Sequence, residues 1–572
     1  MAKNEVLITD FTICQPKESI AERGAPGKWW KATYLLKDGV SGIMLYADPK
    51  DNPPVLTLKP ELSGKYKIFV GVNYPFQYYA YGGGGWGHRT DFDYGSIWLK
   101  LNTDEGYSRF GVEKYDHHAQ GEYRTKVLPE KSTKEHYSTI YETYWKTEEM
   151  DGKYMLISIP KPPYDTPEYG QVANISYIRF VPADSKDAEF DEKLKDNKNT
   201  RNMASLWCAG ALTGHTVGQP MYHPTDGSWF DDEIEALRNS DFGIMCVEAM
   251  RGNLCLFKTK YGDVGTVDKS WDEKWVVPLE EFVTKGHKAG LEVFASLRMM
   301  GAGRAYNRNP INWARHYWDH PEWSKRDEEG IPVSNISLAY PEARQHWLNL
   351  ISEALDYGID GIQLHLNRGD PFVLFEEPVV RDFIEKYGID PRGLPENDKR
   401  RQEHAASYLT QFIREIRQLL DKKPGRKLSA IFAGFSTFKP GQIVKGCDPD
   451  TWMKESLLNI IMADHSTDLK YINYWKELSG GKVRILCSLM PRTQPGEAYA
   501  ALARKLYKAG ADGFCVWDCE RRFHRASEWA ILKHLGHRDL LDELENVAPS
   551  YFKACPMKTH MGLQVKYSYR DG

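Results

Sequence analysis

The sequence predicts a (β/α)8 barrel preceded by an all-β sandwich. Three observations carry that expectation. From about residue 203 onward, eight short apolar runs alternate with amphipathic helical stretches. Before about residue 190 there is no such alternation, only short alternating runs separated by Gly, Pro and Asp turns. The length, 572 residues, is too great for one ordinary core.

The elements follow in order. Residues 1–195 are expected to form a jelly-roll-like sandwich from runs such as "KATYLL", "GKYKIFVGV", "GSIWLKL" and "ISYIRFV". "YGGGGWGHR", 81–89, lacks the GK[ST] ending of a phosphate-binding loop, so it reads as a surface loop and no cofactor is expected. The charged stretch 184–202 reads as the linker. Residues 196–545 are expected to form the barrel, with strands at 205–212, 242–249, 292–299, 361–367, 428–434, 459–465, 483–490 and 513–519. Helices such as "PLEEFVTKGHKAG" and "PGEAYAALARKLYKAG" stop at Gly just before a strand. Residues 546–572 form a tail with strand character, expected to pack back on the sandwich or the barrel.

Composition excludes several classes. The chain is 41% hydrophobic and 27% charged with a formal net charge of -4, so nothing favours nucleic acid or an anionic membrane as partner. No apolar run reaches the ~18 residues of a membrane span. The opening "MAKNEVLITDF" lacks the apolar core of a signal peptide; as given the chain reads as cytoplasmic, or as periplasmic or secreted if a leader was removed. Nine cysteines form no CxxC pair and several sit in apolar runs, against a disulfide framework or a zinc site, and no metal is expected. With 17 Trp and 33 Tyr, flat amphipathic rings are plentiful, which suits sugar faces as well as cores. Oligomeric state is not legible.

The stretch "GIDGIQLHLNRGD", 358–370, is unusual for a strand covered by helices. Ile362, Leu364 and Leu366 alternate with Gln363, His365 and Asn367, and Arg368 and Asp370 follow. Barrel interiors fill in layers drawn from alternate strands, with chemistry at the C-terminal ends. On the even strands those ends carry Glu248, His365 with Asn367, Asp464 and Asp518; strand 3 adds Ser296 and Arg298. Three carboxylates buried without purpose would be costly. Trp517, beside Asp518, is grouped with the binding residues, although alternation from Asp518 turns its ring toward the helices. Glu376 and Glu377 open a helix, where acids commonly serve the helix dipole. The long connections after strands 3 and 4 should wall the cleft, with Tyr306, Trp313 and Trp318 lining it.

"VPLEEFVTKGHKAGLEVFASLRM", "HPEWSKRDEEG", "AYPEARQHWLNLISEALDYGIDGIQLHLNR" and "FIEKYGIDPRGLP" resemble the glycosyl-hydrolase-like (β/α)8 proteins related to glycoside hydrolase family 10, over roughly 120 residues of strands 3 and 4. The resemblance implies a glycoside substrate and paired carboxylates. Where such proteins commonly carry an acid at the end of strand 4, in a pattern like D-G-I-x-x-D, this chain has His365. The expected function is therefore glycoside hydrolysis of a poly- or oligosaccharide. Asp464 and Asp518 form the expected acid pair, and Glu248 is the alternate acid. His365, Asn367, Arg368, Arg298 and Asp370 would bind sugar hydroxyls or an acidic group. Two other classes fit the same residues. One is a glycan-binding protein with a silent barrel. The other is a metal-dependent lyase or isomerase using His365, Asp464, His465 and Glu248.

Overall fold

The computed structural model describes residues 5–73, 97–111, 139–159, 173–208, 224–264, 271–299, 319–367, 371–432, 443, 446–463, 469–489, 494–517, 519, 522–523 and 525–564. Eight parallel strands close into a barrel. They are strands 1 to 8 in chain order: Met203–Trp207, Phe242–Arg251, Glu292–Arg298, Gly361–His365, Lys427–Phe432, Ile460–Ala463, Arg484–Ser488 and Gly513–Trp517. Strand 1 pairs with both strand 8 and strand 2, which completes the ring and leaves no open barrel edge. All eight match the apolar runs of the sequence, several ending a residue or more earlier than the runs did.

Helices follow the strands, and each buries one face. Helix Pro278–Lys288, after strand 2, buries Leu279, Phe282 and Val283 and leaves Glu280 exposed. Pro341–Leu355, after strand 3, buries Trp347, Leu350 and Ile351. Each such fully buried side chain contributes about 1.5–3 kcal/mol by removal from water. The chain turns from helix Pro341–Leu355 into strand 4 through "GID". Gly361 then starts the strand at a point where a Cβ would sit 2.9 Å from the Phe294 ring and 2.6 Å from the Lys427 carbonyl, so only glycine fits.

The N-terminal part is two sheets face to face. A ten-stranded sheet includes Lys65–Asn73, Thr139–Glu149 and Trp29–Leu36; a four-stranded sheet is built from Leu56–Leu58, Met155–Ser158, Ile97–Leu101 and Ser108–Phe110. Tyr66, Ile68, Val70 and Val72 alternate on one strand into the core shared with Leu99, Leu101 and Ile157. The last long strand of the chain, Phe552–His560, inserts antiparallel between Thr139–Glu149 and Trp29–Leu36, so residues from both ends of the chain build one sheet.

The sandwich meets the barrel through a buried ion pair. Arg109, on strand Ser108–Phe110, places Nη1 3.0 Å from Glu233 Oε1 on the helix Trp229–Glu235 that follows strand 1. Both side chains are almost fully buried, and the guanidinium lies over Trp98. The backbone N–H of Tyr107 donates to Asp232 at 2.6 Å, and Tyr144 stacks on Tyr551 with centroids 3.9 Å apart. Removing one partner of a buried pair strands the other charge. Glu233→Gln should therefore lower stability by about 3–5 kcal/mol in denaturant unfolding. The double replacement Arg109→Met with Glu233→Leu should recover most of that loss.

Candidate active site at the C-terminal end of the barrel

The two faces of the barrel strands separate cleanly. Ile244, Cys246, Phe294, Ile431, Ile460, Met462, Leu486, Cys515 and Trp517 form one inner cluster. Val247, Ala295, Ile362, Leu364, Ala430, Ile461 and Val516 belong instead to the layer shared with the helices. On strand 4 the apolar residues thus face outward, and Gln363 and His365 take the inward phase. Gln363 and Ser296 are wholly buried and adjacent in register, with Ser429 next in the same row. Polar groups therefore occupy the barrel axis below the mouth as well as at it.

Four of the expected site residues come together. Glu248 near the end of strand 2 is 1% exposed. Arg298, the last residue of strand 3, donates from Nη1 to Glu248 Oε1 at 3.2 Å. Arg251 approaches the same oxygen, with Nε at 4.0 Å. His365, the last residue of strand 4, packs its ring against Trp517 with centroids 4.9 Å apart. Burial alone would push the Glu248 carboxyl up. The charges of Arg298 and Arg251, then His365 and the thiol of Cys208, outweigh it and hold the group well below the usual carboxylate range. Glu248, the expected alternate acid, thus stands as the shared ion-pair partner of Arg298 and Arg251.

One finding revises the sequence reading. Trp517 faces the barrel interior rather than the helices, since the inward residues of strand 8 are Cys515 and Trp517. That phase is opposite to the one on which the expectation for Asp518 rested. On strand 6 the inward residues are Ile460 and Met462, the phase on which the expectation for Asp464 rested. Asp464, Asp518, His465, Arg368, Asp370, Tyr306, Trp313 and Trp318 lie outside the described residues. Asn367 is described and buried, two residues past His365.

Arg251 was not foreseen. By simple alternation from Glu248 it would point outward. The register of strand 2 against strand 3 shifts between Val247 and Met250, and Arg251 pairs laterally with Arg298. This irregularity returns it to the carboxylate. The connections after strands 3 and 4 also hold a buried acid. Glu376 stands at the N-cap position of helix Glu377–Tyr387, and its side chain turns back to accept from the backbone N–H of Leu374 at 2.8 Å. Burial raises its carboxyl above the ordinary value, against backbone hydrogen bonds, Ser337 and Lys325, which lower it. Lys325, from the hairpin after strand 3, donates to the carbonyl of Pro371 at 2.5 Å and so ties the two connections together.

No family model matches the chain, and no curated protein matches it. Solved structures do, and those named here are glycoside hydrolases. An alpha-galactosidase from Lactobacillus brevis is 10% identical, with a TM-score of 0.33, over 89% of this chain and 63% of that one. The GH36 alpha-galactosidase AgaA from Geobacillus stearothermophilus is 10% identical, with a TM-score of 0.33, over 89% and 65%. A noncanonic maltogenic alpha-amylase AmyB from Thermotoga neapolitana is 10% identical, with a TM-score of 0.33, over 60% and 78%. The chain thus spans less than two thirds of the length of the two galactosidases.

Because the folded Glu248 carboxyl is depressed, its stabilising effect is complete above its unfolded pKa of ~4.3 and declines as pH falls below that value toward the folded one. Glu248→Gln should be less stable than the natural protein at pH 7. The gap in melting temperature between the two should narrow as pH is lowered through 4. A gap that widens on acidification would contradict the counter-ion assignment.

Proposed function

We propose that the chain is a glycan-active enzyme that hydrolyses glycosidic bonds at the C-terminal mouth of its barrel. The observation that supports this reading most is the convergence of Glu248, Arg298, His365 and Trp517 at the ends of four strands. The four are buried, charged and aromatic, a combination that fits an oriented polar ligand with an apolar ring face.

In this reading Asp464 and Asp518, which directly follow strands 6 and 8, supply the acid pair. One protonates the leaving oxygen; the other attacks the anomeric carbon or activates water. The phase of Ile460 and Met462 supports Asp464 as an inward group. Asp518 rests on its place at the strand end. His365, Asn367, Arg368 and Asp370 would hold sugar hydroxyls, and Arg298, kept in place by Glu248, would face an acidic substituent of the sugar.

Asp464→Asn and Asp518→Asn should each remove most of the rate on a cleaved glycan and leave the melting temperature nearly unchanged, since amide and acid have similar volume. NMR of the first anomer released then separates retention from inversion. Full activity in both variants would refute the pair. A non-catalytic, glycan-binding reading is favoured by one feature, the histidine at the end of strand 4 where related barrels commonly carry an acid. Binding on a glycan panel with no turnover would select it.

A further inference from the structure

At the opposite end of the barrel, three buried side chains from distant parts of the sequence point at one another. Asp241 sits immediately before strand 2, and His534 and His537 lie in the turn after helix Ala526–Leu532. One ligand atom from each lies within 4.8 Å of the others, and all three residues are buried. We propose that Asp241, His534 and His537 form a binding site for a divalent transition metal of the zinc type, which staples the base of the barrel.

The surroundings are those of a built metal site. His537 Nε2 faces the backbone carbonyl of Lys193 at 3.1 Å, which fixes the ring and turns Nδ1 toward Asp241 Oδ2, 2.8 Å away. Asp241 Oδ1 accepts from the Thr200 hydroxyl at 2.6 Å, which orients the carboxylate. Ligating imidazoles and carboxylates are held by just such outer hydrogen bonds. His534 Nδ1 is buried and has no hydrogen-bond partner among the described residues. Gly536 lets the turn approach, since a Cβ there would lie 2.7 Å from that of Asp241 and 2.1 Å from the Thr200 carbonyl.

Without metal, both nitrogens of His537 lie within hydrogen-bond distance of oxygens, Nδ1 facing Asp241 and Nε2 the Lys193 carbonyl. Metal binding forms a bond to Nδ1, and any proton held there is released to solvent. Two imidazoles and one carboxylate suit zinc, with water in the fourth position, and do not suit magnesium or calcium. Tetrahedral zinc holds its donors ~3.3 Å apart, so the Asp241–His537 pair, now at 2.8 Å, would open by about 0.5 Å while His534, within 4.8 Å of both, closes on the ion. The metal would join the helix Ser185–Lys195 through Lys193, the start of strand 2 and the segment after strand 8.

The test uses the untagged full chain, stripped with a chelator and titrated with zinc, with the visible absorption of bound cobalt(II) as a second probe. The expected result is one equivalent bound at this site, with a rise in melting temperature. His534→Ala and the space-filling His534→Phe should each weaken binding at least tenfold, and both retain the Asp241–His537 pair for folding. His365→Ala, at the barrel mouth, should leave this binding unchanged, so the outcome is independent of glycan turnover. Absence of stoichiometric binding overturns the proposal, as does an affinity that neither His534 variant changes or that His365→Ala abolishes.

Discussion

Closing eight parallel strands into a ring sends half of their side chains into a space without bulk water, and every charge placed there must be neutralised from within the ring. The inner cluster obeys this at its lower levels, where Ile244, Phe294, Ile460 and Leu486 fill the axis. Charge enters only at the strand ends. Glu248 is there because Arg298 and Arg251 are there; either alone would be a costly buried ion. Among the described residues, the charges at the mouth gather around this carboxylate, which fixes where two guanidiniums stand.

The sandwich is bound to the barrel by the same logic at a second place. Arg109 and Glu233 are buried together across the contact, and neither half could carry its charge alone in that environment. Covalent connectivity adds to it. Strand Phe552–His560 is an inner member of the ten-stranded sheet, although it follows the whole barrel in sequence. The sandwich sheet is therefore complete only after the last barrel helix has been made, and a fragment ending before residue 552 would leave Thr139–Glu149 and Trp29–Leu36 without the strand between them.

Much of the fold was legible because barrel strands are short, apolar and spaced by amphipathic helices. The site was legible where polarity marks the phase of a strand. On strand 4, Gln363 and His365 break an apolar run and reveal the inward face. Strand 8, "GFCVW", is apolar on both faces, so its phase had to be borrowed from Asp518, and Trp517 was turned the wrong way. Arg251 was hidden by the register shift in strand 2, which periodicity cannot reveal. The Asp241, His534 and His537 group was hidden for another reason: Asp241 is nearly 300 residues before the two histidines in sequence, and only barrel closure brings them together.

The histidine at the end of strand 4 follows from the electrostatics of its neighbours. With Glu248 held as an anion, a second carboxylate beside it would meet like charge, and one of the two would be driven to protonate. An imidazole there favours the anion instead, and it does so in this chain. The charges of strands 2 to 4 are then settled as one anion among cations, a poor setting for a group that must hold and release a proton. The other side of the ring differs. Among the described residues, the inward side chains of strands 5, 6 and 8 include Ser429, Ile431, Ile460, Met462, Cys515 and Trp517, with no charge among them. The charge described at the mouth is thus gathered on strands 2 to 4, and His365 carries that cluster across to Trp517 of strand 8.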